Sequence, residues 1–353
     1  MATSPRATPA RATSPRATSP RATSPRPANP APTTVNVEVD DRATENDSTY
    51  GDELTTFTAS VTSSILNYRN ENGRRYHAYH DGTYQLPNDE DEKERLDIMH
   101  EMMLTMLDRK LFLAPIGDSA DKVLDLGTGT GVWAIDFADM FPSTEVWGND
   151  LSPIQPSYVP PNVKFIIDDF EDDWAYGDQK FDYIHARYMA TTVKDFPRLL
   201  RQCYSNVTPG GWVEFQDWDT RLHSEDRSTH GTSLQQYYDL TIPAFNRLGV
   251  EPAPGPHLEG WFREAGFVDI HVEKFLVPLG AWPKDKRLKT LGLWNMLQAD
   301  TGFEAAAMAV LTRYEGWSKE EVKILASKTR SDARNPDIHG LFDFYVVYGR
   351  RPV

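Results

Sequence analysis

One cysteine, Cys203, stands in 353 residues. A single thiol excludes an internal disulfide and suits a reducing compartment, where it reads as a small core residue rather than a nucleophile. No apolar run approaches the length of a membrane span, and the amino-terminal residues lack the apolar centre of a secretion signal. The expectation is therefore an intracellular protein, cytoplasmic or nuclear, with no membrane partner. Acidic residues are missing from Met1–Val37, which carries five arginines, Arg6, Arg11, Arg16, Arg21 and Arg26. With these set aside, 32 basic against 52 acidic residues leave the body at about −20. A body so negative repels a phosphate backbone, which argues against nucleic acid as a partner. No cluster of histidine, cysteine and carboxylates has metal-ligand spacing, so no metal is expected.

What is present begins with a pentapeptide repeat, ATSPR with one variant ATPAR, from Ala2 to Arg26. Proline removes amide donors and nothing in the repeat is apolar enough to bury, so disorder is expected over residues 1–49. A segment over 50–115 follows, with the aromatic and basic stretch ILNYRNENGRRYHAYHDGTYQLP. After it, Asn88 reads as a helix cap, with Leu96, Met99, Met103 and Met106 at helical spacing on a core-facing stripe.

From residue 116 to 353 short apolar runs alternate with helical patterns. KVLDLG, TEVWGND, NVKFIIDD and FDYIHAR read as strands; GVWAIDFADMF reads as a helix, as does a segment bearing Phe196, Leu200, Cys203 and Val207 on one stripe. TPGGWVEFQDWD reads as a turn entering a fifth strand, and Pro256 to Ala265 as a short helix ended by Gly266. Such alternation predicts an α/β fold, an open parallel sheet covered by helices on both faces. LFDFYVVYGR, apolar on both faces, belongs inside that sheet. Two stretches near 220–255 and 281–335 are helical and aromatic, and read as a cap over the carboxyl edge of the sheet.

The glycines decide the ligand class. A dinucleotide loop requires G-x-G-x-x-G, but after Gly127 and Gly129 the third glycine, Gly131, comes one residue early and Val132 stands in the required place. Asp125, two residues before Gly127, repels a pyrophosphate and attracts an ammonium group. Asp150 closes the next strand, where a carboxylate accepts hydrogen bonds from both ribose hydroxyls. Asp169 ends the third strand, placed to accept from an adenine amino group, with Phe170 as an apolar wall. A nucleoside with an amino-acid end and no phosphate fits this set, and S-adenosylmethionine is such a ligand.

VLDLGTGTGVWAIDFADMFPSTEVWGNDLSPIQPSYVPPNVKFIIDDFEDDW, with ENGRRYHAYHDGTYQLPNDEDEKERLD before it and FDYIHARYMA and VTPGGWVEFQDWD after it, resembles class I S-adenosylmethionine-dependent methyltransferases. More narrowly it is similar to the fungal LaeA-like methyltransferases, from about Tyr68 to Pro352. The resemblance implies a Rossmann-like sheet of seven strands with the last antiparallel, and Tyr76 and its neighbours folded over the cofactor. The cofactor contacts it implies are Tyr76, Asp125, Gly127, Thr128, Gly129, Gly131, Asp150, Leu151, Asp169, Phe170 and Arg187. The paired Asp168 and Asp169 depart from the family's founding regulator, whose third-strand segment is more divergent, and point to one of its paralogues.

The Asn/Asp-Pro-Pro-Tyr/Phe motif of amino-group methyltransferases is absent, replaced by His185-Ala186-Arg187-Tyr188. His185 is thereby a candidate general base for a hydroxyl acceptor, and Arg187 an anchor for an acidic acceptor or the cofactor carboxylate. Asp217 and His223 are weaker candidates. Three functions are compatible with the chain. It is an enzyme methylating a small aromatic or polyketide-like acceptor in fungal secondary metabolism, a nuclear regulator acting with velvet-domain partners, or a cofactor-binding scaffold without turnover.

Overall fold

The computed structural model describes residues 67–117 and 120–353, besides Met1; the pentapeptide repeat and the rest of the expected tail lie outside the described residues. The first described elements are a two-stranded antiparallel hairpin, β1 (Arg69–Glu71) and β2 (Arg74–Tyr76). Helix α1 (Glu90–Met106) follows. Its cap is Asp89, whose side chain accepts the amide of Glu92, and not Asn88. Asn88 is instead buried, with its amide donating to the Ser152 hydroxyl. Met99, Met103 and Met106 are buried as their spacing predicts, whereas Leu96 lies against Gly129.

The strand–helix alternation then builds the sheet. Strand β3 (Lys122–Leu126) is buried from Val123 onward because both of its faces are covered. Helix α2 (Val132–Met140), β4 (Glu145–Asp150), β5 (Val163–Ile167), β6 (Phe181–Arg187), α3 (Phe196–Asn206) and β7 (Val207–His223) follow. Val207 opens β7 rather than closing the α3 stripe, and the TPGG segment runs within that strand instead of forming a turn before it. Cys203 is buried on α3, and burial pushes its thiol well above the ordinary range, as fits a packing residue.

A short 3-10 turn (Gly255–His257) leads into α5 (Leu258–Ala265), which Gly266 ends in the left-handed conformation. Strands β8 (Val268–Pro278) and β9 (Leu341–Arg350) complete seven strands in the order β5-β4-β3-β6-β7-β9-β8. The β3–β7 pairs are parallel, and β9 runs antiparallel between β7 and β8. The two-sided apolar pattern of β9 thus marks an inserted strand, as predicted.

The remaining helices come from the two stretches outside the sheet pattern: α4 (Ser233–Arg247), α6 (Lys286–Tyr314) and α7 (Lys319–Arg334). With α1 they share one apolar cluster, in which Met103, Phe245, Phe303, Leu311 and Phe344 are buried together. Among the described residues no helix is long and apolar enough to cross a membrane.

Candidate functional site

Two cavities meet at the turn after β6. The first, of about 730 Å³, is bounded by the glycine loop, the ends of β4 and β5, and the segment before α1. Gly127, Gly129, Asp150, Leu151, Asp169 and Phe170 line it, as expected from sequence. Asp150 reaches under the loop: one oxygen accepts the Gly129 amide at 2.8 Å and the other the Ser152 amide at 2.9 Å. Burial raises its carboxyl to about 6. Asp169 accepts the Glu171 amide at 2.9 Å and stands 3.0 Å from His80 Nδ1. Among the described residues no lysine or arginine lines the cavity, while Asp150, Asp169 and Glu171 do. A phosphate would find no counter-charge there, whereas a cationic ligand with a diol fits. S-adenosylmethionine has that chemistry.

Other expected contacts stand outside the wall. Thr128 and Asp125 are buried and bonded to each other, the threonine hydroxyl donating to Asp125 Oδ2 at 2.6 Å. The other oxygen of Asp125 lies 2.7 Å from His185 Nδ1, so this carboxylate is spent inside the protein rather than on an ammonium group. Gly131 serves packing: a Cβ there would sit 2.4 Å from the ring of Phe165, and its φ is +80°. Gly127 and Gly129, at φ +61° and +59°, are the two loop glycines that line the cavity.

Arg187 donates to His100 Nδ1 at 3.0 Å, and His100 Nε2 in turn lies 3.0 Å from Asp136, a chain that ties β6 to α1 and α2 away from the cavity wall. Burial lowers the Arg187 guanidinium to about 10. Tyr76 is buried beneath Arg313, whose guanidinium lies 4.8 Å from its ring centre. Its neighbours Thr83, Tyr84, Pro87 and Asn88 supply the cavity wall instead.

The expected base is also corrected. His185 is fully buried; its ring stacks on Trp133 at 3.8 Å and 3° between planes. Because a carboxylate only accepts, Asp125 holds the proton on Nδ1, and Nε2 is buried without a hydrogen-bond partner. Neither cavity includes this residue. Burial lowers its pKa, so it stays neutral. His185 therefore braces β3, β6 and α2 and has no route to an acceptor. His223 is half exposed, 3.8 Å from Asp343, and outside both cavities.

The second cavity, of about 850 Å³, lies beneath α4 and α6. Its wall is largely aromatic and aliphatic, with Trp218, Tyr237, Tyr238, Phe245, Phe303 and Phe342 prominent. Arg95 enters this wall from α1, bonded to Glu92 at 2.6 Å and 2.9 Å. Tyr188 lines both cavities. Its φ of +59° is unusual for a bulky residue and aims the chain around the corner between them. Sequence reasoning passed over Tyr188, Tyr84 and Arg95. Tyr188 adjoins the fourth-strand block and was visible there, but Arg95 carried no signal beyond a charge on a helix.

A family model described as a methyltransferase domain matches residues 98–272. Methyltransferase pytC of Aspergillus terreus is 43% identical over 83% of this chain and 91% of its own. The secondary metabolism regulator laeA of Aspergillus fumigatus is 36% identical over 80% of this chain and 76% of its own. The probable methyltransferase tdiE of Emericella nidulans is 34% identical over 83% and 92%. Likeness of this extent, together with the seven-stranded sheet and an acidic cavity on its glycine loop, shows that the chain belongs to the LaeA-like class I S-adenosylmethionine-dependent methyltransferases.

Proposed function

We propose that this enzyme of fungal secondary metabolism methylates an oxygen of a small, flat, largely apolar molecule held in the aromatic cavity under α4 and α6. The observation that carries the reading is the sharing of Tyr188: the acceptor cavity and the cofactor cavity meet at one side chain. When bound, the cofactor supplies a methyl group already activated by a positive sulfur. The protein's task is to orient the acceptor and keep water out. Asp150 accepts from the ribose hydroxyls, Asp169 with Phe170 borders the adenine, and the loop at Gly127 and Gly129 allows close approach. Asp217 keeps the dividing turn in place through the amides of Met189 and Ala190.

Methyl-labelled S-adenosylmethionine, incubated with the protein and a panel of phenols, enols and amines, tests the reading. Transfer to oxygen in flat aromatic members is expected. Transfer only to amines, or to protein side chains, would overturn it. Likeness to the laeA regulators supports a second reading, a nuclear regulator working with velvet-domain partners. Deleting the gene separates the two: loss of one methylated compound marks the enzyme, and loss of many unrelated metabolites marks the regulator.

A further inference from the structure

Resting on the reading of the aromatic cavity as the acceptor site, we infer that this cavity selects acceptors that bind as oxyanions, phenolates or enolates, with Arg95 and the Tyr188 hydroxyl as the recognition pair. The wall holds no carboxylate and no imidazole among the described residues, so nothing in it would take a proton from a bound hydroxyl or neutralise a bound ammonium group. Arg95 is the one cation in that wall. Its partner Glu92 is buried and outside the lining, so the pair presents its positive end to the cavity. The guanidinium spends Nε and one Nη2 proton on Glu92, one Nη1 proton on the Gln298 carbonyl at 3.1 Å and the other on Met99 Sδ at 2.9 Å, which leaves one Nη2 proton over.

The phenols divide in the same sense. Tyr237 donates to the Phe303 carbonyl at 3.0 Å, whereas the hydroxyls of Tyr188 and Tyr238 make no hydrogen bond among the described residues. The Arg95 guanidinium lies over the Tyr188 ring, 5.4 Å from its centre, so the cation and this phenol share the junction with the cofactor cavity. A ligand oxygen arriving there meets donors and positive charge, which favour its ionised form. The acceptor proton leaves to bulk water on binding, and the oxygen keeps the electron pair that forms the new bond to carbon. Selection of an acidic hydroxyl thus replaces a base in the wall, and an aliphatic alcohol would be a poor acceptor.

The probe is 7-hydroxycoumarin, a flat phenol whose fluorescence separates neutral and ionised forms, titrated against the full chain saturated with S-adenosylhomocysteine. Unsubstituted coumarin serves as the shape control. The phenolate is expected to bind at least about tenfold tighter than the phenol, lowering the bound probe's apparent pKa by about one unit. Tyr188→Phe should reduce that preference several-fold and leave coumarin binding unchanged. Glu92→Gln combined with Arg95→Gln, which strands no buried charge, should abolish it. Equal or tighter binding of the neutral phenol, or an unchanged preference in both variants, would overturn the inference alone. Binding of neither probe, with S-adenosylhomocysteine still bound, would overturn the acceptor-cavity reading beneath it.

Discussion

Asp217 Oδ2 accepts the backbone amide of Met189 at 2.8 Å, and Oδ1 that of Ala190 at 3.2 Å, so a carboxylate from inside the sheet holds the turn that divides the two cavities. Tyr188, just before these amides, owes its left-handed conformation to that grip and to its own amide's bond to the Gln216 carbonyl at 3.0 Å. Burial, aided by the charge of Glu251, raises Asp217 to about 7, and burial raises Glu214 to about 7 as well.

The pH dependence of stability follows. An unfolded aspartate ionises near pH 4, so between about pH 4 and 7 the folded chain holds a proton that the unfolded chain has lost. Stability should fall as pH rises through that window and level off above it. Asp217→Asn should flatten part of this fall and, by leaving an amide donor unmatched, cost about 1–3 kcal/mol. Thermal melts across pH check both; parallel curves for wild type and variant would show that Asp217 does not titrate there.

The glycine loop gives a second test. Gly129 adopts φ +59°, so Gly129→Val is strained in backbone, and its branched side chain would stand in contact with Leu96 beside the cavity. Calorimetry should find no S-adenosylhomocysteine binding in that variant. Asp150→Ala removes the proposed ribose acceptor and strands the Gly129 and Ser152 amides, which should weaken binding by about 1–3 kcal/mol. Because burial raises Asp150 to about 6, wild-type affinity should decline below that pH as the carboxylate gains a proton. Asp150→Asn should lack this decline.

His185 is expected to matter for stability and not for proton transfer. His185→Ala removes a ring stacked on Trp133 and leaves Asp125 without its donor, a loss on the order of 3 kcal/mol by analogy with other core truncations. His185→Gln preserves a donor and should keep the wild-type pH–rate profile. A variant that folds normally, binds S-adenosylhomocysteine and yet loses the acidic limb of that profile would restore the base.

The segment before α1 is held from the far side of the molecule. Arg313, at the end of α6, donates to Glu71 and to Gln85, each at 2.7 Å, and covers the ring of Tyr76. Arg313→Ala should free residues 67–88 for proteolytic cleavage and lower cofactor affinity, because Thr83, Tyr84 and Asn88 reach the cavity from this segment. Limited proteolysis with and without S-adenosylhomocysteine is the measurement. Equal cleavage of variant and wild type would mean that the segment is anchored by His80 and Arg74 alone.

Local pattern by itself determined the order of strands and helices, the inserted place of β9, and the contacts of Gly129, Asp150 and Asp169 with the cavity. Each of these depends on neighbours within one strand–loop–helix unit, where period and turn chemistry suffice. The sequence offered Asp125 and His185 as separate candidates, one for the cofactor and one for a base. Local pattern could not tell that they would meet on neighbouring strands beside Trp133 of α2, as a buried brace. The aromatic cap, with Trp218, Tyr237, Tyr238 and Phe245, pointed to a flat apolar pocket, but how the aromatic cavity is assembled was beyond any local reading. Arg95, Tyr188, Tyr238 and Phe303 come from α1, the end of β6, α4 and α6, and only the packing of α1 and α4 against α6 brings them around one space. Tyr76 shows the same limit: its cover is Arg313, far along the chain, and burial under that guanidinium is a tertiary contact that no spacing within a segment encodes.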